Sequence, residues 1–254
     1  MSGALERARP YLRDLGGEPA VALLGASALL VLAHRQGSID FFQVHFLPAF
    51  ASSPAQGALP YLYWFGASFF FYLAAPLALA ALTRGSFHRR YGLGVGDARA
   101  GLAIAGLFLA VMVPVVLAAA RLGSVRGQYP LAGPAAYTLG HGPAAHVSAG
   151  LFAAYEGAYF GYFIGWEFLF RGYLLNALLP RFGRAGAILI PTAPFVLMHL
   201  AKPELEALGA IAAGVALGIL ALRTRSFWYG ALLHGTIAVL MDLVSAFPYL
   251  AGPR

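Results

Sequence analysis

Six ionisable residues interrupt the apolar stretches of this chain: Glu156, Glu167, Arg171, His199, His234 and Asp242. A charge at the centre of a bilayer costs about 2.5–3.5 kcal/mol on insertion scales, so each needs a partner or a task. Carboxylate with imidazole is the pairing that holds and deprotonates a water molecule. The carboxylate serves as general base, and a histidine orients the water or stabilises the developing oxyanion. Arg171, at i+4 from Glu167, would fix the rotamer of that base. Two histidines and one glutamate (Glu167, His199, His234) could also hold a divalent metal such as zinc, although no HExxH pattern is present. The absence of cysteine removes thiolate ligands, disulfides and a cysteine nucleophile.

Helical rise brings four of the six to comparable depth. Glu167 stands about 15 residues before the Arg181–Arg184 turn and His199 about 16 after it, so at 1.5 Å per residue both lie roughly 20–25 Å from that turn. His234 lies roughly 13 Å beyond the Arg223–Arg225 turn, and Asp242 about 12 Å further. Glu167, His199, His234 and Asp242 can therefore converge, with Glu156 three turns from Glu167 near the outer interface. Each has a structural reading too. Glu167–Arg171 can be a self-neutralising pair, His199 a helix-end residue, His234 an interhelical hydrogen-bonder, and Asp242 a partner for a helix dipole or for His234.

The elements that must position these groups follow from composition. Of 254 residues, 60% are hydrophobic and 11% charged, with mean hydropathy +0.72. Soluble domains carry roughly 25% charged residues, so disorder is excluded and the composition argues against an ordinary soluble enzyme. An all-α polytopic membrane bundle remains, with about seven transmembrane helices and room for an eighth, in a single domain over residues 1–254. The spans are expected at Ala20–Ala33, Leu59–Leu82 (kinked at Pro76), Gly101–Ala120, Ser148–Leu179, Ala185–Leu200, Ala207–Leu222 and Phe227–Phe247. Residues Ile39–Phe50 should lie in the interface. No strand pattern is visible. Glycines 157, 161 and 165, and again 214 and 218, form GxxxG ridges expected to pack closely against neighbouring helices.

The net charge of +7, from sixteen Arg and one Lys, reads as topology. An N-terminus in the cytoplasm puts eleven basic residues inside and five outside, which accounts for the balance without nucleic acid. The expected location is the inner (plasma) membrane of a prokaryote.

Three motifs carry a resemblance. Trp166-Glu167-Phe168-Leu169-Phe170-Arg171-Gly172 resembles the EExxxR motif of the CPBP family, the CAAX proteases and bacteriocin-processing or abortive-infection proteins. Phe195-Val196-Leu197-Met198-His199 matches its FxxxH motif, and His234 the histidine of HxxxN/D. The resemblance spans roughly 155–242, within a motif-bearing core of 148–247. It implies an intramembrane endopeptidase, once labelled a metalloprotease and now viewed as glutamate-dependent, cleaving a membrane-tethered protein or peptide. Carried over residue by residue, it gives Glu167, Arg171, His199 and His234 as site residues, with Trp166 and Asp242 in support and no required cofactor. Two positions depart from the pattern: Trp166 replaces the usual first glutamate, and Ala238 the usual Asn or Asp. The WEFxxRG form with Lys202-Pro203 looks similar to myxosortase-type processing proteases. The departures leave open a catalytically silent scaffold or immunity protein, and the same buried charges could instead form the proton relay of a small proton-coupled transporter. Lys202, Glu204 and Glu206 would flank the mouth as solvated loop residues.

Overall fold

The structure, a computed structural model, describes residues 6–7, 9–10, 17–81 and 90–250. Leu82 and the first part of the expected 84–99 loop lie outside the described residues. The chain is an all-α polytopic membrane bundle. Its helices are α1 (Glu18–Gln36), α2 (Ile39–His45), α3 (Leu59–Ala81), α4 (Ala98–Ala119), α5 (Ala149–Glu167), α6 (Leu175–Leu197), α7 (Glu204–Thr224) and α8 (Trp228–Leu250). Among the described residues, α1, α3, α4, α7 and the Trp228–Phe247 part of α8 are long and apolar enough to cross a membrane. Helices α5 and α6 fall outside that set, with Glu156 and Glu167 on α5 and Arg181 and Arg184 on α6, and α5 packs against both α3 and α8.

Local sequence explains the boundaries. Ser38, Asp97 and Ser148 cap α2, α4 and α5 through side-chain oxygens that accept from the N–H groups of Phe41, Ala100 and Leu151. Pro76 has no N–H to give, and the turn before it widens into a π-helical turn at Phe70–Ala74 inside α3. A second π turn, Phe168–Leu174, joins α5 to α6 and is buried throughout. The expected Arg181–Arg184 turn is a single break at Gly183, whose φ of 63° and ψ of −175° leave the helical region. α6 then ends at Leu197, so His199 lies just past the helix and not within it.

Two sequence expectations need correction. A two-residue antiparallel ladder, Thr138–Leu139 with His146–Val147, occurs in the loop before α5; strands this short leave no periodicity to read. Of the first glycine ridge, only Gly165 meets a neighbour, at 3.2 Å from the Phe69 backbone to a built Cβ. Gly157 and Gly161 face open space because no helix covers that side of α5. The second ridge does pack: a Cβ at Gly214 would lie 2.5 Å from Thr192, and one at Gly218 3.0 Å from Ile188.

Residues 91–97 are tied to the α7–α8 turn. The Trp228 indole N–H donates to the Leu93 carbonyl (2.8 Å), the Tyr229 hydroxyl to the Val95 carbonyl (2.7 Å), and Arg223 pairs with Asp97 at 2.9 Å. Arg90 and Tyr91 both reach Glu18 at the start of α1, and the Tyr91 ring lies against Tyr173 in the π turn. This end of the bundle therefore clamps the segment that carries Arg171.

Candidate active site

Glu167 ends α5 and is fully buried. Its Oε1 accepts two hydrogen bonds, from Arg171 Nη1 at 2.9 Å and from His234 Nδ1 at 2.8 Å. A carboxylate can only accept, so Nδ1 of His234 carries the proton and Nε2 is left as the free nitrogen. Arg171 is 4% exposed, and its guanidinium lies 4.1 Å above the centre of the Phe195 ring. That stacking explains why a phenylalanine serves at this place: it faces a cation that has almost no water.

His199 is the other imidazole. Its Nδ1–H donates to the Phe195 carbonyl at 2.7 Å, one turn back, so the ring is anchored and its Nε2 is also free. The two imidazoles lie with centroids 6.2 Å apart and planes within 20° of parallel. Both rings are partly exposed, whereas the carboxylate and guanidinium behind them are not. The site is thus layered: an ion pair at the back, two imidazoles in front.

Trp166 occupies the place where the family resemblance would put a carboxylate. It is 3% exposed, and its ring meets His199 and His234 edge-on at 5.9 and 6.4 Å. It also packs on Tyr72, Tyr162 and Phe195, which makes it a wall of the site. Phe163 covers His234 from the other side at 4.4 Å.

Asp242 does not join this group. It lies two turns past His234 on α8 and accepts from the Leu131 N–H at 2.6 Å, under the loop before α5. Lys202 and Glu206 are not simply solvated: the Lys202 ammonium donates to the Tyr129 hydroxyl, and that hydroxyl meets the Glu206 carboxylate, each at 3.0 Å. Burial pushes the Lys202 ammonium below the ordinary lysine pKa, with the Glu206 charge opposing, and burial raises the Tyr129 hydroxyl. Sequence reasoning also missed Gly230. A Cβ there would lie 2.9 Å from Glu167 Oε2, so any side chain at this position would push on the carboxylate. Its position, one turn before His234, was the available signal.

The residues named for zinc do not fit that ion as arranged. The Glu167 oxygen nearest His234 is already shared by a guanidinium and an imidazole N–H, and a fixed cation sits beside it. Among the described residues, no three His, Asp or Glu side chains are disposed to hold a metal.

Residues 148–240 match the family model described as type II CAAX prenyl endopeptidase Rce1-like. No curated protein and no solved structure matches the chain. The matched stretch contains Glu167, Arg171, His199 and His234 in the order of the three motifs, so over residues 148–240 this chain is similar to the Rce1-like CAAX endopeptidases of the CPBP family.

Proposed function

We propose that the protein hydrolyses a peptide bond of a membrane-tethered substrate, with Glu167 and His234 acting as one base and His199 holding the water. The observation that carries this reading is the Arg171–Glu167–His234 chain of hydrogen bonds, which ends in an unoccupied imidazole nitrogen on the exposed side. Glu167 fixes the His234 tautomer and stabilises the imidazolium that forms, while the Arg171 guanidinium, 2.9 Å from Oε1, holds the carboxylate in place. Water oxygen attacks the scissile carbonyl carbon as its proton passes to His234 Nε2. Collapse of the tetrahedral intermediate breaks the C–N bond, and the same proton goes to the departing amine. The His199 Nε2 lone pair accepts from the attacking water and orients it. This shifts the base from glutamate alone to a glutamate–histidine couple, because the buried carboxylate has its exposed side screened by the two rings.

Trp166 is the observation that favours the rival reading, a silent relative. Reconstituted protein incubated with single-span peptides and a farnesylated CAAX peptide separates the two. Cleavage should be present in wild type and fall by about 10³–10⁴-fold in Glu167→Gln, as when a catalytic histidine loses its orienting carboxylate. His199→Ala should be strongly impaired. Unchanged processing in both variants would overturn the mechanism, and no cleavage by wild type of any peptide would favour the silent relative. Activity should survive dialysis against a chelator.

A further inference from the structure

Two buried carboxyl groups remain that the proposed reaction does not use. Three turns from Glu167 on α5, Glu156 is only 7% exposed, and neither carboxylate oxygen has a hydrogen-bond partner. On α8, Asp242 is fully buried; Leu131 takes its Oδ1, and Oδ2 has no partner. Helices α5 and α8, which carry the two carboxyl groups, pack against each other. Three buried acceptor oxygens on these facing helices are therefore left without a donor. None of the ion pairs among the described residues involves either carboxylate. Lys202, whose charge Asp242 feels, is instead held at Tyr129 and Glu206.

Buried carboxylates oppose folding unless something neutralises them, and their retention inside a membrane bundle marks function. The matching ligand is a cation with several N–H donors. An ammonium offers three and a guanidinium five, enough for three open oxygens. Position gives the register. Asp242 lies eight residues from His234 and Glu156 eleven from Glu167, roughly 12 and 16 Å along the two helices. An extended peptide advances about 3.3–3.6 Å per residue, so this gap spans about four residues.

We propose that Glu156 and Asp242 form a recognition site for a basic side chain of the substrate, about four residues from the scissile bond and towards the loop 121–148. The register rests on the hydrolytic reading above; the binding of a cation does not. Tyr129 and Leu131, anchored to Lys202, Glu206 and Asp242, form the cover under which that side chain would sit.

Two measurements test this on the purified full-length chain. Butylguanidinium chloride should raise the midpoint of thermal unfolding relative to choline chloride at equal ionic strength. The rise should persist in Glu167→Gln and vanish in Glu156→Gln/Asp242→Asn, whose neutral amides keep shape and should fold at least as well as wild type. No rise in wild type, or an equal rise in the double variant, overturns the proposal. In reporter peptides with one Arg scanned through the outer segment, Arg four residues from the bond should lower KM by about ten- to a hundredfold against norleucine, with kcat little changed. The double variant should lose that preference. A flat scan with cleavage intact overturns this proposal alone, whereas cleavage that survives Glu167→Gln overturns the hydrolytic reading. If phosphatidylethanolamine gives the same stabilisation in vesicles, with no Arg preference, the site belongs to a lipid headgroup and the proposal falls.

Discussion

Arg171 and Glu167 neutralise each other at a place where neither could stand alone. Four residues apart, they would form only a weak surface pair, but at 4% and 0% exposure the pair is held without water. Removing one partner of a buried pair destabilises by about 3–5 kcal/mol because the other charge is left uncompensated. Arg171→Met should therefore lower the thermal midpoint of the detergent-solubilised protein substantially, whereas Glu167→Gln, which leaves a hydrogen-bonding amide, should lower it less. A smaller effect of Arg171→Met than of Glu167→Gln would mean that the guanidinium does not stabilise the site. The spacing and the residue types of this pair were legible in the sequence. That His234 shares the same carboxylate oxygen was not, since 67 residues separate them.

At the scale of elements, the site depends on how closely α5 and α8 approach. Gly230 is the contact that permits it: a methyl group there would press on Glu167 Oε2. Gly230→Ala should reduce cleavage by about ten- to a hundredfold, the loss expected when a catalytic group is misplaced by a fraction of an ångström. The protein should remain folded, as judged by unchanged elution in gel filtration; activity equal to wild type would show that Glu167 can move freely. The start of α4 gives a second test. Asp97 accepts from the Ala100 N–H and from Arg223, and these hold its carboxyl below the ordinary carboxylate pKa. A lowered pKa in the folded state means that Asp97 contributes stability above the unfolded value of about 4, which is lost as pH falls through the folded one. Asp97→Asn keeps an N-cap but removes this titration, so the fall in thermal midpoint on acidification below about pH 4 should become shallower. An identical acid profile would show that the Asp97–Arg223 pair contributes nothing.

Over the whole molecule, basic residues collect at one end of the bundle and the polar cover over Asp242 at the other. The eleven-to-five distribution of Lys and Arg predicts that the Arg223–Arg225 end faces the cytoplasm and the loop before α5 the opposite side. With no native cysteine, single-cysteine variants report this directly. A thiol at Ser124 should react with an impermeant maleimide added to intact cells, and one at Arg225 only after lysis. The reverse pattern would invert the orientation and move the mouth of the site to the cytoplasm.

The sequence by itself determined the membrane class, the helical composition, the order of the three motifs and the residues they contain. Hydropathy and i,i+4 spacing are local quantities, and each helix here is set by its own apolar run and by caps such as Ser38, Asp97 and Ser148. Counting rise also brought Glu167, His199, His234 and Asp242 to comparable depth, of which the structure keeps only the first three together. Azimuth was beyond that arithmetic. Rise fixes height along a helix, but only packing fixes which way a side chain points, and the 100° between neighbouring residues is decided by what lies across the interface. Tertiary structure therefore made Trp166 a wall of the site, turned Gly157 and Gly161 to open space, and set Asp242 under Leu131 rather than beside His234. It also decided that the glutamate stands behind the imidazoles, where Arg171 and His234 hold its Oε1 and Gly230 brings α8 close to its Oε2.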